Sequence, residues 1–174
     1  MNELTKEKLL ETLLEAYSAY FDIEKNVTMD GIYYDAVAKF YSRSEKYFLT
    51  KKAKLWAAET NEYVFFIKCG RLDCELFKKI STNIIEQSLK MIKPHNEHMY
   101  TYISMVVIAD DIDEEAKKQF IKFNFKKNFL FSFHGWTELR IAVFNLSKRT
   151  IDTNPSGKEL RQNFKKTLKN FYII

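Results

Sequence analysis

Glycine, proline and cysteine are scarce in this 174-residue chain, at 4, 2 and 2 residues. Gly31, Gly70, Gly135 and Gly157 lie too far apart to cradle a phosphate, so neither common nucleotide-binding fingerprint is present. No serine sits in a Gly-x-Ser-x-Gly elbow. Cys69 and Cys74 do not have Cys-x-x-Cys spacing, and no histidine is near them in sequence, so they read as reduced, partly buried thiols. Arginine contributes only 5 of the 28 basic residues. That weighs against bidentate base or phosphate recognition, for which Arg is the better side chain. Long apolar runs are also missing. Ile103–Ala109 is the most apolar stretch and falls far short of the ~20 residues that span a bilayer. Glu3, Glu7, Glu11 and Glu15 interrupt the segment where a signal peptide would need an apolar run. A cytoplasmic protein with no membrane partner is expected.

Aromatic side chains and lysines are plentiful. The chain has 15 Phe and 10 Tyr, a 46% hydrophobic and 29% charged composition and a net charge of +5. These values fit one soluble globular domain over residues 1–174 with an aromatic-rich core. The charge is uneven: residues 113–174 carry 13 basic against 6 acidic side chains, or +7. A basic C-terminal third is one way to meet nucleic acid.

The apolar spacing predicts an amphipathic helix over 3–21, capped by Asn2. Asp30-Gly31 between strand-like runs predicts a hairpin, with a second strand over 32–43. Thr60-Asn61-Glu62 reads as another tight turn, giving a meander of three or four strands before 69. Asp73 caps a helix to about 92, ended by Pro94. Met99–Ala109 is apolar on both alternating faces, as in a covered central strand. A short helix to about 123 follows Asp111-Ile112-Asp113-Glu114. Phe125, Phe129, Phe131 and Phe133 share a parity and are expected on one buried strand face. Burial then asks for a three- or five-residue loop around His134, Gly135 and Trp136 before Leu139, Ile141 and Val143. Ser132, Glu138 and Arg140 would line the opposite face. A short strand at 150–153 and a last helix from Asn154-Pro155 complete the chain. Strand-helix-strand around the second helix suggests a parallel pair. The fold class is α+β, with a single mixed, mainly antiparallel sheet and helices packed against it.

Two of the three histidines lie in Lys93-Pro94-His95-Asn96-Glu97-His98 and the third in Phe133-His134-Gly135-Trp136. The two segments are expected to lie together at strand ends. His95, His98 and His134 are then candidate ligands for a divalent metal, although no cofactor is expected outright. His95, Glu97, His98, His134, Glu138 and Arg140 are the candidate acid, base and anion-clamp residues. Trp56 and Trp136 are candidates for stacking on a ring ligand. Glu59 and Glu62, flanking the expected turn, are candidate paired carboxylates. Against each stands a plain structural role: solvated loop, cross-strand ion pair, core ring.

The order helix, three strands, helix, strand looks like the core of restriction-endonuclease-like nucleases. That resemblance implies an acid and then an acid-x-Lys on consecutive strands, holding a metal. Here Lys68 and Asp35 are present, but Phe66 stands at the acid position. Three phrases also occur together: Ala53-Lys54-Leu55-Trp56-Ala57-Ala58-Glu59-Thr60-Asn61-Glu62, Lys93 to Tyr102, and His134-Gly135-Trp136-Thr137-Glu138-Leu139-Arg140. With them the chain resembles a family of small uncharacterised proteins from anaerobic bacteria, a resemblance that implies no activity, cofactor or partner. The first reading is a small cytoplasmic binding or interaction domain without catalysis. It is expected to self-associate, with the terminal Phe171-Tyr172-Ile173-Ile174 as an apolar tail to be covered. The alternatives are a metal-dependent hydrolase or nuclease-like protein using the histidine segments, and nucleic-acid binding through the basic C-terminal third.

Overall fold

The structure, a computed structural model, describes residues 5–47 and 54–169. Helix α1 (Lys6–Tyr17) starts at Thr5, whose hydroxyl accepts from Lys8 N at 3.2 Å. Asn2, the expected cap, lies outside the described residues, and the helix is shorter than the 3–21 periodicity suggests. Strands β1 (Asp22–Met29) and β2 (Ile32–Tyr47) form the expected Asp30-Gly31 hairpin, with both turn residues at positive φ. Such a turn matches the natural twist of the strands it joins.

Strand β3 (Lys54–Leu72) runs without a break through Thr60-Asn61-Glu62, so no turn exists there. Ser42, Tyr41 and Phe40 of β2 pair with Thr60, Asn61 and Glu62 on one side, and β4 pairs with them on the other. The polar run is a strand because its backbone is satisfied on both edges and Glu62 finds Ser104 and Arg140 further along the chain. Helix α2 (Cys74–Met91) is capped by Asp73, which accepts from Leu76 N at 2.8 Å, a contact that stabilises the helix by about 1 kcal/mol. Strand β4 (His98–Ile112) is buried continuously from Ile103 to Ala109, as an apolar run interrupted only by Ser104 requires. Helix α3 (Glu114–Phe120), β5 (Lys126–Asn128), β6 (Trp136–Asn145), β7 (Thr150–Thr153) and α4 (Lys158–Thr167) follow.

The seven strands form one mixed sheet in the order β1-β2-β3-β4-β6-β5, with β7 also pairing with β6. β3-β4 and β4-β6 are parallel, and the other four pairings are antiparallel. The fold is therefore α+β. Helices cover both faces. On one face Phe77, Ile80 and Ile84 of α2 and Phe120 of α3 join Phe65, Met105, Val107 and Ile141 of the sheet. On the other, Leu9, Leu13, Leu160 and Phe164 of α1 and α4 join Val64, Phe66, Val106 and Phe144.

The phenylalanine strand is much shorter than its parity predicts. Phe125 and Phe129 pack against the α2 side, Phe125 opposite Leu139 and Phe129 opposite Gly135. The chain then leaves the strand: Leu130, Phe131 and Ser132 all have positive φ, and Phe131 and Phe133 stand 92% and 77% exposed. Period-two parity holds only while the ladder lasts, and the ladder stops at Asn128. Ser132 accordingly does not join Glu138 and Arg140 on the opposite face.

Beyond β5, the exposed edge of β6 is completed by a side chain. Asn154 Oδ1 accepts from Ile141 N at 2.8 Å, and its Nδ2 donates to Leu139 O at 2.9 Å and Phe123 O at 3.1 Å. These bonds fill the gap between the stretch paired with β5 and the stretch paired with β7.

Candidate functional site

The two histidine segments meet where β4 and β6 begin. Met99 is an extra residue in β4: Glu59 pairs with His98, but Thr60 already pairs with Tyr100. This bulge turns His98 onto the α2 face, against Phe129, with ring centroids 5.8 Å apart. His98 is 4% exposed and both its nitrogens are engaged. Nδ1 lies 2.7 Å from the His134 carbonyl oxygen and Nε2 lies 2.9 Å from Thr101 Oγ1. A carbonyl only accepts, so Nδ1 carries the proton and donates, while Nε2 shares a hydrogen bond with the threonine hydroxyl.

The loop that His98 reaches is closed by its own backbone. Phe129 N donates to Gly135 O at 2.9 Å, His134 N to Phe129 O at 3.1 Å, Phe133 N to Leu130 O at 2.9 Å and Gly135 N to Ser132 O at 3.1 Å. Gly135 has φ +77, and a Cβ there would stand 2.5 Å from the carbonyl oxygens of His98 and Met99 and 2.6 Å from His98 Nδ1. Only glycine lets β4 approach this closely. The loop presents Leu130, Phe131 and Phe133 to solvent.

His95 belongs to a different cluster. Its Nε2 lies 2.9 Å from Glu59 Oε2. Glu59 also pairs with Arg43, which reaches Glu97 at 2.7 Å and Glu45 at 2.8 Å. Burial pushes the Glu59 carboxyl upward, but hydrogen bonds from Tyr41, Arg43 and His95 outweigh it and hold the group below its ordinary range. The His95 and His98 rings are 6.3 Å apart, while only the backbone of His134 joins them. Among the described residues, no three His, Cys, Asp or Glu side chains converge as metal ligands do.

Arg140 and Glu138 project from β6 to the α1 and α4 side. Arg140 is 6% exposed; it pairs with Glu62, donates to Ser104 Oγ at 3.0 Å through Nη2, and sits 4.0 Å from the centre of the Tyr102 ring. Ser104 Oγ donates to Glu62 at 2.9 Å, so one polar chain crosses β6, β4 and β3. Its Glu62 and Arg140 line a cavity of about 240 Å³ together with Tyr17, Phe21, Phe164 and Thr167. Glu62 and Glu59 point to opposite faces of β3 and are not paired carboxylates. Glu138 accepts from Ser156 at 3.4 Å. Trp136 stacks on Tyr100 at 5.4 Å, with Lys126 Nζ 4.4 Å from the centre of its ring. The Trp56 side chain lies outside the described residues, as does the Phe171–Ile174 tail.

The nuclease-like positions are partly assembled. Lys68 N donates to Asp35 Oδ2 at 2.7 Å, and Lys68 Nζ lies 3.5 Å from Asp35 and 3.3 Å from Glu7. Phe66, at the acid position, is fully buried against Tyr17, so it completes the core there and not a metal cradle. Burial raises the Cys69 thiol to about 11, which suits an unreactive side chain.

A family model described as a domain of unknown function, DUF8052, matches residues 5–166. The chain belongs to that family. The DUF8052 span takes in every element from the Thr5 cap into α4, and with it both histidine segments and the apolar loop. No curated protein and no solved structure gives a match. No described helix is long and apolar enough to cross a membrane. The apolar loop is the part of this DUF8052 site that sequence parity missed. Its available sign was the crowding of Phe129, Leu130, Phe131 and Phe133 just before the Gly135 turn, with Ser132 alone of the usual turn residues among them.

Proposed function

We propose that this chain is a small cytoplasmic binding domain that works without catalysis, meets its partner through the loop Leu130–Phe133, and self-associates. The carrying observation is the contrast within one site. Leu130, Phe131 and Phe133 stand 58%, 92% and 77% exposed on a loop whose base is bonded at both ends. Exposed apolar side chains on a rigid support are what a contact surface needs, because burying them releases about 1.5–3 kcal/mol each with little ordering to offset. The polar candidates support the same reading, since His98 and Arg140 are engaged inside the fold, and His95 and Glu97 are tied to Glu59 and Arg43. A metal-dependent hydrolase would have to draw His98 out of two hydrogen bonds.

Light scattering at micromolar concentration tests the proposal, comparing wild type, the double variant Phe131→Ser/Phe133→Ser, and a chain lacking residues 171–174. The expected result is a wild-type mass well above 20.7 kDa that returns to it in the double variant. Loss of association only in the truncated chain would move the contact to the tail. Titration with zinc and manganese should give no stoichiometric site; one that disappears on His95→Ala and His134→Ala would transfer the case to the hydrolase reading.

A further inference from the structure

The sequence around the loop has a one-sided charge. From Ala116 to Thr137 there are five lysines and no acidic residue. Lys117 and Lys118 are paired with Asp152 and Glu115. Lys122, Lys126 and Lys127 are exposed, with no ion-pair partner among the described residues. Lys126 and Lys127 are adjacent in β5 and so point to opposite faces of the sheet edge. One lies over Trp136 and the other 5.8 Å from the Phe129 ring centre. The loop tip thus carries three large apolar side chains with a cation on either side of its base.

Three successive non-glycine residues hold left-handed backbone here, Leu130 at φ 46, Phe131 at 51 and Ser132 at 74. Such conformations are unfavourable and persist only where the surroundings enforce them. Here the enforcing contacts are the loop's own backbone bonds and the buried His98. Their effect is to turn Phe131 and Phe133 outward, away from the core that strand parity would have given them.

We propose that this loop docks on an anionic lipid surface, with Leu130, Phe131 and Phe133 entering the headgroup–acyl boundary and Lys126 and Lys127 meeting lipid phosphates. The inference rests on reading the loop as the contact surface and names lipid as the occupant that takes the tip in place of a second copy when a membrane is present. A convex apolar tip suits a fluid interface better than a nucleic acid, where stacking needs rings laid flat along a groove. Lys126 faces Glu138 across the β5–β6 pair, which leaves Lys122 and Lys127 as the surplus cations that match the negative potential of an anionic leaflet. The absence of a spanning helix among the described residues does not bear on this, because a loop tip adsorbs without spanning; peripheral contact of this kind replaces the expectation of no membrane partner.

The test is co-sedimentation of the full chain with vesicles of mixed phosphatidylglycerol and phosphatidylcholine, against phosphatidylcholine alone. Binding should be confined to the anionic vesicles. It should fall about tenfold or more in Phe131→Ser/Phe133→Ser. In Lys126→Gln/Lys127→Gln it should weaken and lose salt sensitivity. Circular dichroism and urea unfolding of both variants should match wild type, because all four side chains are exposed. No binding to anionic vesicles overturns the proposal, as does binding unchanged in the phenylalanine variant. Loop-dependent retention on single-stranded DNA without vesicle binding overturns it in favour of nucleic acid. If vesicles fail while the phenylalanine variant still abolishes self-association, the loop remains a contact surface and the lipid partner alone is wrong. If neither changes, the proposed function falls too.

Discussion

Two hairpins of this sheet are closed in opposite ways. The β1–β2 turn uses two residues, Asp30 and Gly31, whose own chemistry tolerates positive φ, and a Cβ at Gly31 would meet nothing within 4 Å. The β5–β6 loop places leucine, phenylalanine and serine in the same left-handed region and leans on His98 and the backbone of β4, 36 residues earlier. The backbone of the first turn is specified locally, and its outside ties are at the rim, where the Asp30 carboxylate accepts from Gln87 and from Lys90 Nζ of α2 and the Met29 carbonyl accepts from Asn83. The second is held by its own backbone bonds together with remote contacts from β4, and its product is an exposed apolar tip. Local turn chemistry shapes a connection; imported support is what lets one carry residues that turns ordinarily exclude.

Gly135→Ala should separate the two most sharply. The added methyl meets two carbonyl oxygens at 2.5 Å while also occupying φ +77, so a loss of roughly 3 kcal/mol or more in urea unfolding is expected. His98→Ala comes next at about 2 kcal/mol, because the Thr101 hydroxyl and the His134 carbonyl lose a buried partner. Its signature is faster hydrogen exchange at the Phe129, His134 and Gly135 amides, with the β1–β2 hairpin unchanged; equal loosening of both hairpins would erase the distinction. Gly31→Ala has only backbone conformation to lose and should cost about 1 kcal/mol. Smallest is Phe131→Ser, expected within about 0.5 kcal/mol of wild type. A loss well above 1 kcal/mol would mean that this side chain is packed after all.

Features decided within a few residues were legible in the sequence. The Asp30-Gly31 turn, the Asp73 cap, the buried central strand, the strand at 150–153 and the α+β class all follow from local chemistry or periodicity. What depended on remote partners was not. Thr60-Asn61-Glu62 resembles a turn until Glu62 meets Arg140, 78 residues on. His98 resembles a metal ligand until the Met99 bulge turns it towards the His134 carbonyl. The proximity of the two histidine segments was foreseeable because both lie at strand ends. That one imidazole would bond the other residue's backbone was not, because it hangs on a single inserted residue.

The Asn154 bridge has a consequence for how copies of this chain can join. An open sheet edge offers a row of unpaired amides and carbonyls onto which another strand can add. Along β6 that row is closed in three pieces, by three residues of β5, by the Asn154 carboxamide and by four residues of β7. Each piece is too short to template a foreign strand. Assembly on this side of the molecule is thereby steered away from backbone-to-backbone growth, the route that leads to open-ended aggregates. It is left to side-chain surfaces, which are saturable and can be released.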